Sequence, residues 1–324
     1  MRTAAVPGIT YRLLRDEADY QHMADIFRAA NVADGVDWAM DAATMRVEHE
    51  HHADHDPRQD VVFAEVDGQP VGYGFAMREI RGDVAVYSTA GRVRPDFRHR
   101  GIGRSLLRRN EARLRAIAGE MSDPGQREFG AWIIDSEGGA AALLLSEGYE
   151  AIRYSFGMRR PTLDGLPEVA LPEGLEVRPV RSDEHRAIFD ADNEAFRDSW
   201  GHGEATDEDF VAMFAMPDLD TSLWRVAWDG EQVAGGVVVE IAKGENEVLG
   251  VRRGWLHRVW VRRPWRRRGL ASALIVSALR GLREAGMTDA MLGVDSENPT
   301  GALQLYEALG FAAVEHATTY RKAW

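Results

Sequence analysis

The chain contains an approximate copy of part of itself. Val93-Arg94-Pro95-Asp96-Phe97-Arg98-His99-Arg100-Gly101-Ile102-Gly103 recurs 168 positions later as Val261-Arg262-Arg263-Pro264-Trp265-Arg266-Arg267-Arg268-Gly269-Leu270-Ala271. A repeat at about half of a 324-residue chain requires two similar units of ordinary domain size. The helix after each copy also repeats: Ile102, Leu106, Leu107, Leu114 and Ile117 make one apolar face, and Leu270, Leu274, Ile275, Leu279 and Leu282 make the other. Tyr11 to Arg15 echoes Val177 to Arg181, and two Asp-Gly turns, at Asp67-Gly68 and Asp229-Gly230, each join a pair of strands. Gly148-Tyr149 and Gly310-Phe311 both read as a helix stop followed by a strand. Each half therefore predicts strand, helical stretch, hairpin, strand, loop, helix, strand, helix, strand. The expected class is α/β, a mixed sheet with helices, in two tandem domains at 1–160 and 175–324. The turn-rich 161–174 is expected to be a linker.

Composition narrows the chemistry. The chain has no cysteine, which removes disulfides, thiolate zinc sites and a cysteine nucleophile. Lys+Arg is 39 against Asp+Glu 52, a net charge of −13, and a chain this acidic is a poor nucleic-acid binder but suits a cationic small substrate. No apolar run reaches the roughly 18 residues of a membrane span. Met1 to Gly8 has no long apolar segment, so no secretory signal and a cytoplasmic location are expected.

The repeated segment itself predicts an anion site. A strand at Leu256 to Val261 leads into an arginine-glycine turn that opens a helix. The first turn of a helix carries unpaired N–H groups and a positive dipole end, and glycine lets the backbone approach a ligand closely. Together these cradle a phosphate or pyrophosphate, with Arg266, Arg267 and Arg268 adding charge. The spacing is neither G-x-G-x-x-G nor G-x-x-x-x-G-K-[ST], which argues against a dinucleotide or nucleoside triphosphate.

These residues resemble the GCN5-related N-acetyltransferases, whose signature is a strand, then Gln/Arg-x-x-Gly-x-Gly/Ala, then a helix. Both Arg98-His99-Arg100-Gly101-Ile102-Gly103 and Arg266-Arg267-Arg268-Gly269-Leu270-Ala271 fit it. Asn298 to Phe311, with Tyr306 and Gly310-Phe311, is similar to the family's second motif. The tandem layout is similar to that of mycothiol synthases and other two-domain acetyltransferases. The resemblance implies that acetyl-coenzyme A is the cosubstrate, with no metal. It implies that the loop amides of Arg266 to Ala271 hold its pyrophosphate, that the backbone of Val259, Trp260 and Val261 pairs with the pantetheine arm, that Asn298 contacts the pantetheine region, and that Tyr306 lies near the thioester sulfur. Val93 and Arg98, His99, Arg100, Gly101, Ile102 and Gly103 are the equivalent set in the first half.

The two halves differ where chemistry is needed. Aligning Gly148 with Gly310 sets Leu144 opposite Tyr306 and Ser136 opposite Asn298, and aligning the loops sets Thr89 opposite His257. Strict alternation places Trp255, His257, Val259 and Val261 on one strand face, against Tyr87, Thr89, Gly91 and Val93 in the first half. The second half is therefore expected to be catalytic and the first degenerate. His257 is the expected base because a histidine titrates near neutrality, with Glu240, Asp198 and His202 as other candidates. Mycothiol synthases carry a glutamate where this chain has Trp255. The expected function is acetyl transfer from acetyl-coenzyme A to a primary amine of a small molecule, by direct attack in a ternary complex, in a monomer or homodimer without a membrane or nucleic-acid partner. The alternatives are mycothiol synthesis, protein acetylation, or acyl-coenzyme A binding without turnover. Asn193 to Glu204 is expected to border the acceptor. Glu48 to Asp56, rich in histidine, reads as a solvated helix end rather than a zinc site, with His51 and His55 on one helix face.

Overall fold

The computed structural model describes residues 8–51, 54–123, 125–203, 205–215, 219–298 and 300–324. The amino-terminal stretch before Gly8, two residues of the histidine-rich run, Glu204 and Pro299 thus lie outside the described residues. The first half forms β1 (Thr10–Leu13), α1 (Ala18–Asp34), α2 (Ala42–Glu50), α3 (Pro57–Asp60), β2 (Val61–Val66), β3 (Gln69–Arg81), β4 (Val84–Val93), α4 (Ile102–Glu120), β5 (Gln126–Ile134), α5 (Gly138–Ser146) and β6 (Glu150–Arg160). The second forms β7 (Glu176–Arg178), α6 (His185–Phe196), α7 (Asp207–Ala215), β8 (Arg225–Asp229), β9 (Gln232–Glu240), α8 (Lys243–Leu249), β10 (Arg253–Val261), α9 (Leu270–Glu284), β11 (Asp289–Asp295), α10 (Ala302–Ala308) and β12 (Ala312–Ala323). The expected order of elements is present, and α8 is an addition. None of the described helices is long and apolar enough to cross a membrane.

Two compact units result. The described part of one comprises 8–153, Asp207–Ala215 and Ala317–Trp324; that of the other comprises Tyr154–Thr206 and 219–316. In the first unit the strand order is β1-β2-β3-β4-β5-β12, and in the second β7-β8-β9-β10-β11-β6. The sole parallel pair in each is the homologous one, β4 with β5 and β10 with β11, among the described residues. The boundaries differ from the contiguous 1–160 and 175–324. Ser155 to Arg160 of β6 pairs with β11 in the second unit, and Ala317 to Ala323 of β12 pairs with β5 in the first. Each half thus completes the other half's sheet. Nor is 161–174 a bare linker: Leu163 is buried in the second core, and Leu166, Val169 and Leu171 pack against that core.

Both repeated helices bury the faces read from their periodicity. Leu106, Leu107, Leu114 and Ile117 are buried in the first unit, and Leu270, Leu274, Ile275, Leu279 and Leu282 in the second. At the paired end of β10 and β11, the fully buried Arg253 donates from Nε to Asp289 at 3.4 Å, and Arg159 also pairs with Asp289. Asp289→Ala strips the carboxylate from a buried guanidinium and is expected to destabilise the second unit by about 3–5 kcal/mol. A urea titration that resolves the two units would register this as a lower midpoint for the second alone.

Candidate active site

In both units the parallel pair separates partway along. The register of β10 with β11 runs only from Arg253↔Asp289 to Trp255↔Met291, while β10 stays paired with β9 to Val261. β4 leaves β5 after Ser88↔Gly130 and stays with β3 to Val93. The far stretches of β4 and β10, including Val93 and Val259, Trp260 and Val261, therefore keep one backbone edge out of the parallel ladder. Such an edge accepts an extended amide-bearing ligand as an added strand.

The loops that follow have matching backbones. His99 and Gly101 have φ of 62° and 82°, and Arg267 and Gly269 have 61° and 83°. Gly101 and Gly269 cap α4 and α9 without a side chain, and the first ladder bonds are Ser105 N–H to Gly101 O (3.0 Å) and Ala273 N–H to Gly269 O (3.1 Å). The amides of 102–104 and 270–272 lie ahead of that ladder, at the positive end of the helix dipole. Ile102 and Leu270 are buried and pin the first turns, while Gly103 and Ala271 follow them.

The arginines divide their work. Arg98 donates to Val93 O, Ala30 O and both oxygens of Asp34. Arg266 does the same in the second unit, to Val261 O (2.9 Å), Ala195 O (2.9 Å) and Asp198 (3.2 Å). These two guanidinium groups hold the loop against α1 or α6 and are already satisfied. Arg100 bonds Asp96 O, and Arg268 reaches Glu173 O, while Arg267 and His99 are exposed. Asp198 is held down at about 2 by hydrogen bonds from Arg263 and then Arg266.

One irregularity separates the two strands. β10 shifts register between Leu256↔Val239 and Arg258↔Val238, so His257 is an extra residue, whereas β4 pairs with β3 without a shift. A bulge leaves its extra residue outside the ladder and resets the alternation. Leu256, Val259 and Val261 consequently all meet the core under α9, and the expected common face of Trp255, His257, Val259 and Val261 is corrected. His257 lies on the opposite face, with its side chain 45% exposed and Nε2 2.8 Å from Glu240 Oε2. The Trp255 ring stacks on it at 5.8 Å and 18°, and the Trp255 indole N–H donates to Glu245 at 2.6 Å. Thr89, opposite His257 in the alignment, is instead buried and accepts a 2.7 Å hydrogen bond from Asn110 of α4. On the α6 side, Arg258 pairs with Asp192 and lies over the Phe196 ring. Burial raises the Asp192 carboxyl to about 6 despite Arg258.

Tyr306 is buried on α10, and burial pushes its hydroxyl up to about 12, so it stays protonated at working pH. Asn298 accepts from Thr300 N–H (2.9 Å) and Thr300 Oγ (2.5 Å), so its oxygen shapes the turn and its amide nitrogen is the group left to donate. In the first unit Leu144 is buried and Ser136 exposed. That unit nevertheless holds a cavity of about 610 Å³, lined by Thr89, Gly101, Gly103, Trp132, Glu137 and Leu144 among others. Glu137, buried and bonded to Arg92 at 3.0 Å, has its carboxyl raised by desolvation. Neither the cavity nor Glu137 had a sequence signal, because a cleft opened by strand separation leaves no motif.

The histidine-rich run needs correction. α2 ends at Glu50, so His51 and His55 share no helix face. His49 and His55 are buried, hydrogen bonded to each other at 3.0 Å, with His55 also 3.0 Å from Ala76 O and 3.4 Å from Asp60. Mutual hydrogen bonding takes these rings inside rather than leaving a solvated end.

Separated parallel strands followed by a glycine-capped helix recur in both units, and the second adds the buried Tyr306 on α10. A profile of the acetyltransferase (GNAT) family matches residues 185–311, and one of the acetyltransferase (GNAT) domain matches 57–150. The mycothiol acetyltransferase of Geodermatophilus obscurus is 31% identical over 95% of this chain and 96% of its own length, and that of Salinispora arenicola is 29% identical over 95% of each. A GCN5-related N-acetyltransferase from Sphaerobacter thermophilus shares the fold with a TM-score of 0.75 at 27% identity, over 98% of this chain and 96% of that one. A tandem GNAT protein from the clavulanic acid biosynthesis pathway superposes with a TM-score of 0.67 at 17% identity, over 97% and 98%. The chain belongs to the GCN5-related N-acetyltransferase family, with two such domains in tandem, and is an acetyltransferase.

Proposed function

We propose that the second unit transfers acetyl from acetyl-coenzyme A to the primary amine of a small molecule, by direct attack in a ternary complex. The bulge carries this reading: it turns His257 to the exposed face of the strand whose far stretch has left its parallel partner. Acetyl-coenzyme A supplies an acyl carbon activated by a thiol leaving group. The amides at the start of α9 bind its pyrophosphate, and the free edge of Val259 to Val261 aligns its pantetheine arm. His257 takes a proton from the substrate ammonium and passes it to solvent, since only the free amine has a lone pair to attack with. The unladdered amide at the bulge donates to the carbonyl oxygen as charge develops there. As the C–N bond forms and the C–S bond breaks, Tyr306 gives its proton to the departing sulfur and regains one as the nitrogen loses its second. Asn298 donates to the pantetheine region.

The first unit has the same loop and a cavity of coenzyme scale, but Leu144 replaces the acid and Thr89 faces α4. We take it to hold coenzyme A without turnover. A second reading, an acceptor of the mycothiol type, is favoured by relatives named for that activity across nearly their whole length. Acetyl-coenzyme A consumption against a panel of amines tests the reading. Tyr306→Phe is expected to lower kcat about 100-fold with little change in KM. Tight coenzyme binding with no turnover on any amine would contradict transfer and favour a binding protein.

A further inference from the structure

The base proposed above stands in an environment that the strand pattern alone does not explain. Glu240 ends β9 directly opposite Trp255, so its side chain emerges on the same face as Trp255 and His257. Its Oε2 lies 2.8 Å from His257 Nε2 and is only partly exposed. The other side of the imidazole is covered by the Trp255 ring, nearly parallel at 18°, and that indole is tied to the buried Glu245 of α8 by a 2.6 Å bond. α8 is the insertion that gives the second unit a helix between β9 and β10, where the first unit turns directly from β3 into β4. Also on this side, Arg258 pairs with the Asp192 carboxylate, whose other oxygen is buried without a hydrogen-bond partner.

We propose that Glu240 is a positioning residue for His257, accepting the Nε2 proton so that Nδ1 is the nitrogen that takes the substrate's proton, while Trp255, braced by Glu245, fixes the ring plane. The proposal rests on His257 being the base. The bulge frees this histidine from the ladder and leaves it nearly half exposed, so without two flanking contacts it would sample several rotamers. A carboxylate acceptor selects one tautomer and stabilises the imidazolium formed once Nδ1 has been protonated. The chain thereby supplies, from β9, a carboxylate on the face where a glutamate at position 255 would have stood; Trp255 becomes a wall rather than a base.

Two measurements on the full-length protein test this. In ¹⁵N-histidine-labelled protein, with His257 assigned by its loss in His257→Gln, a hydrogen-bonded Nε2–H signal protected from solvent exchange is expected, and it should vanish in Glu240→Leu. With the amine turned over best in the panel, Glu240→Gln, whose amide oxygen still accepts, should lower kcat about 10-fold and Glu240→Leu about 100-fold, with KM for acetyl-coenzyme A unchanged. A protected Nε2–H persisting in Glu240→Leu, or equal kcat in wild type and both variants, would overturn the positioning role. A His257→Ala enzyme with full turnover would instead overturn the base assignment beneath it, and the resonance distinguishes the two failures because it needs no turnover.

Discussion

Deleting Ala317 to Trp324 is expected to unfold the first unit, although these residues come from the far end of the chain. They form the strand that covers β5, pairing from Ala317↔Ile134 to Ala323↔Glu128. Tyr320 is buried in the core with Phe129, Tyr87 and Leu114. Trp324 stacks on Phe129 with ring centroids 4.6 Å apart and an interplanar angle of 17°. Lys322 Nζ sits 2.8 Å from the buried Glu111, and Thr318 Oγ donates to Asp135 at 2.6 Å. Losing one buried aromatic costs about 3–5 kcal/mol, and leaving Glu111 without its ammonium adds to that. The sum is comparable with the entire stability of a domain of this size, about 5–15 kcal/mol. Hydrogen exchange should show fast exchange across β5 in the truncated protein, while amides of α9 keep their protection. Unchanged protection of β5 would mean that the exchanged strand contributes little.

The same strand shows where sequence reasoning stops. The repeat, the capping glycines and the apolar faces of α4 and α9 were legible because period and glycine placement act locally. The exchange of β6 and β12 was not, because each terminal strand carries a pattern that suits either sheet, and only long-range pairing decides between them. The candidate site divides in the same way. The shape of the two turns follows from Gly101 and Gly269, but Arg98 and Arg266 proved to be braces, since their partners, Asp34 in α1 and Asp198 just beyond α6, lie more than sixty residues earlier. His257 was identified by residue type, yet its face was misread. One extra residue in β10 inverts the alternation, and nothing in Leu256-His257-Arg258 announces a bulge. The buried His49–His55 pair read as solvated because a run of histidines and acids looks polar until its partners are known.

In the proposed function both units hold coenzyme A at matching loops, and only the second performs chemistry. The two loops offer matched substitutions. Gly101 and Gly269 have φ of 82° and 83°, a region that a β-branched residue avoids, and a Cβ at Gly269 would meet no atom within 4 Å. The penalty of valine at such a φ, about 1–2 kcal/mol, is backbone strain, relieved by twisting the loop and turning its amides away from the phosphates. The decisive measurement is steady-state acetyl transfer by Gly101→Val and Gly269→Val, with calorimetry confirming that each variant has lost one coenzyme equivalent. Turnover should persist within about twofold in Gly101→Val and fall at least about 100-fold in Gly269→Val. Loss of turnover in Gly101→Val with retention in Gly269→Val would place the chemistry in the first unit and contradict the account.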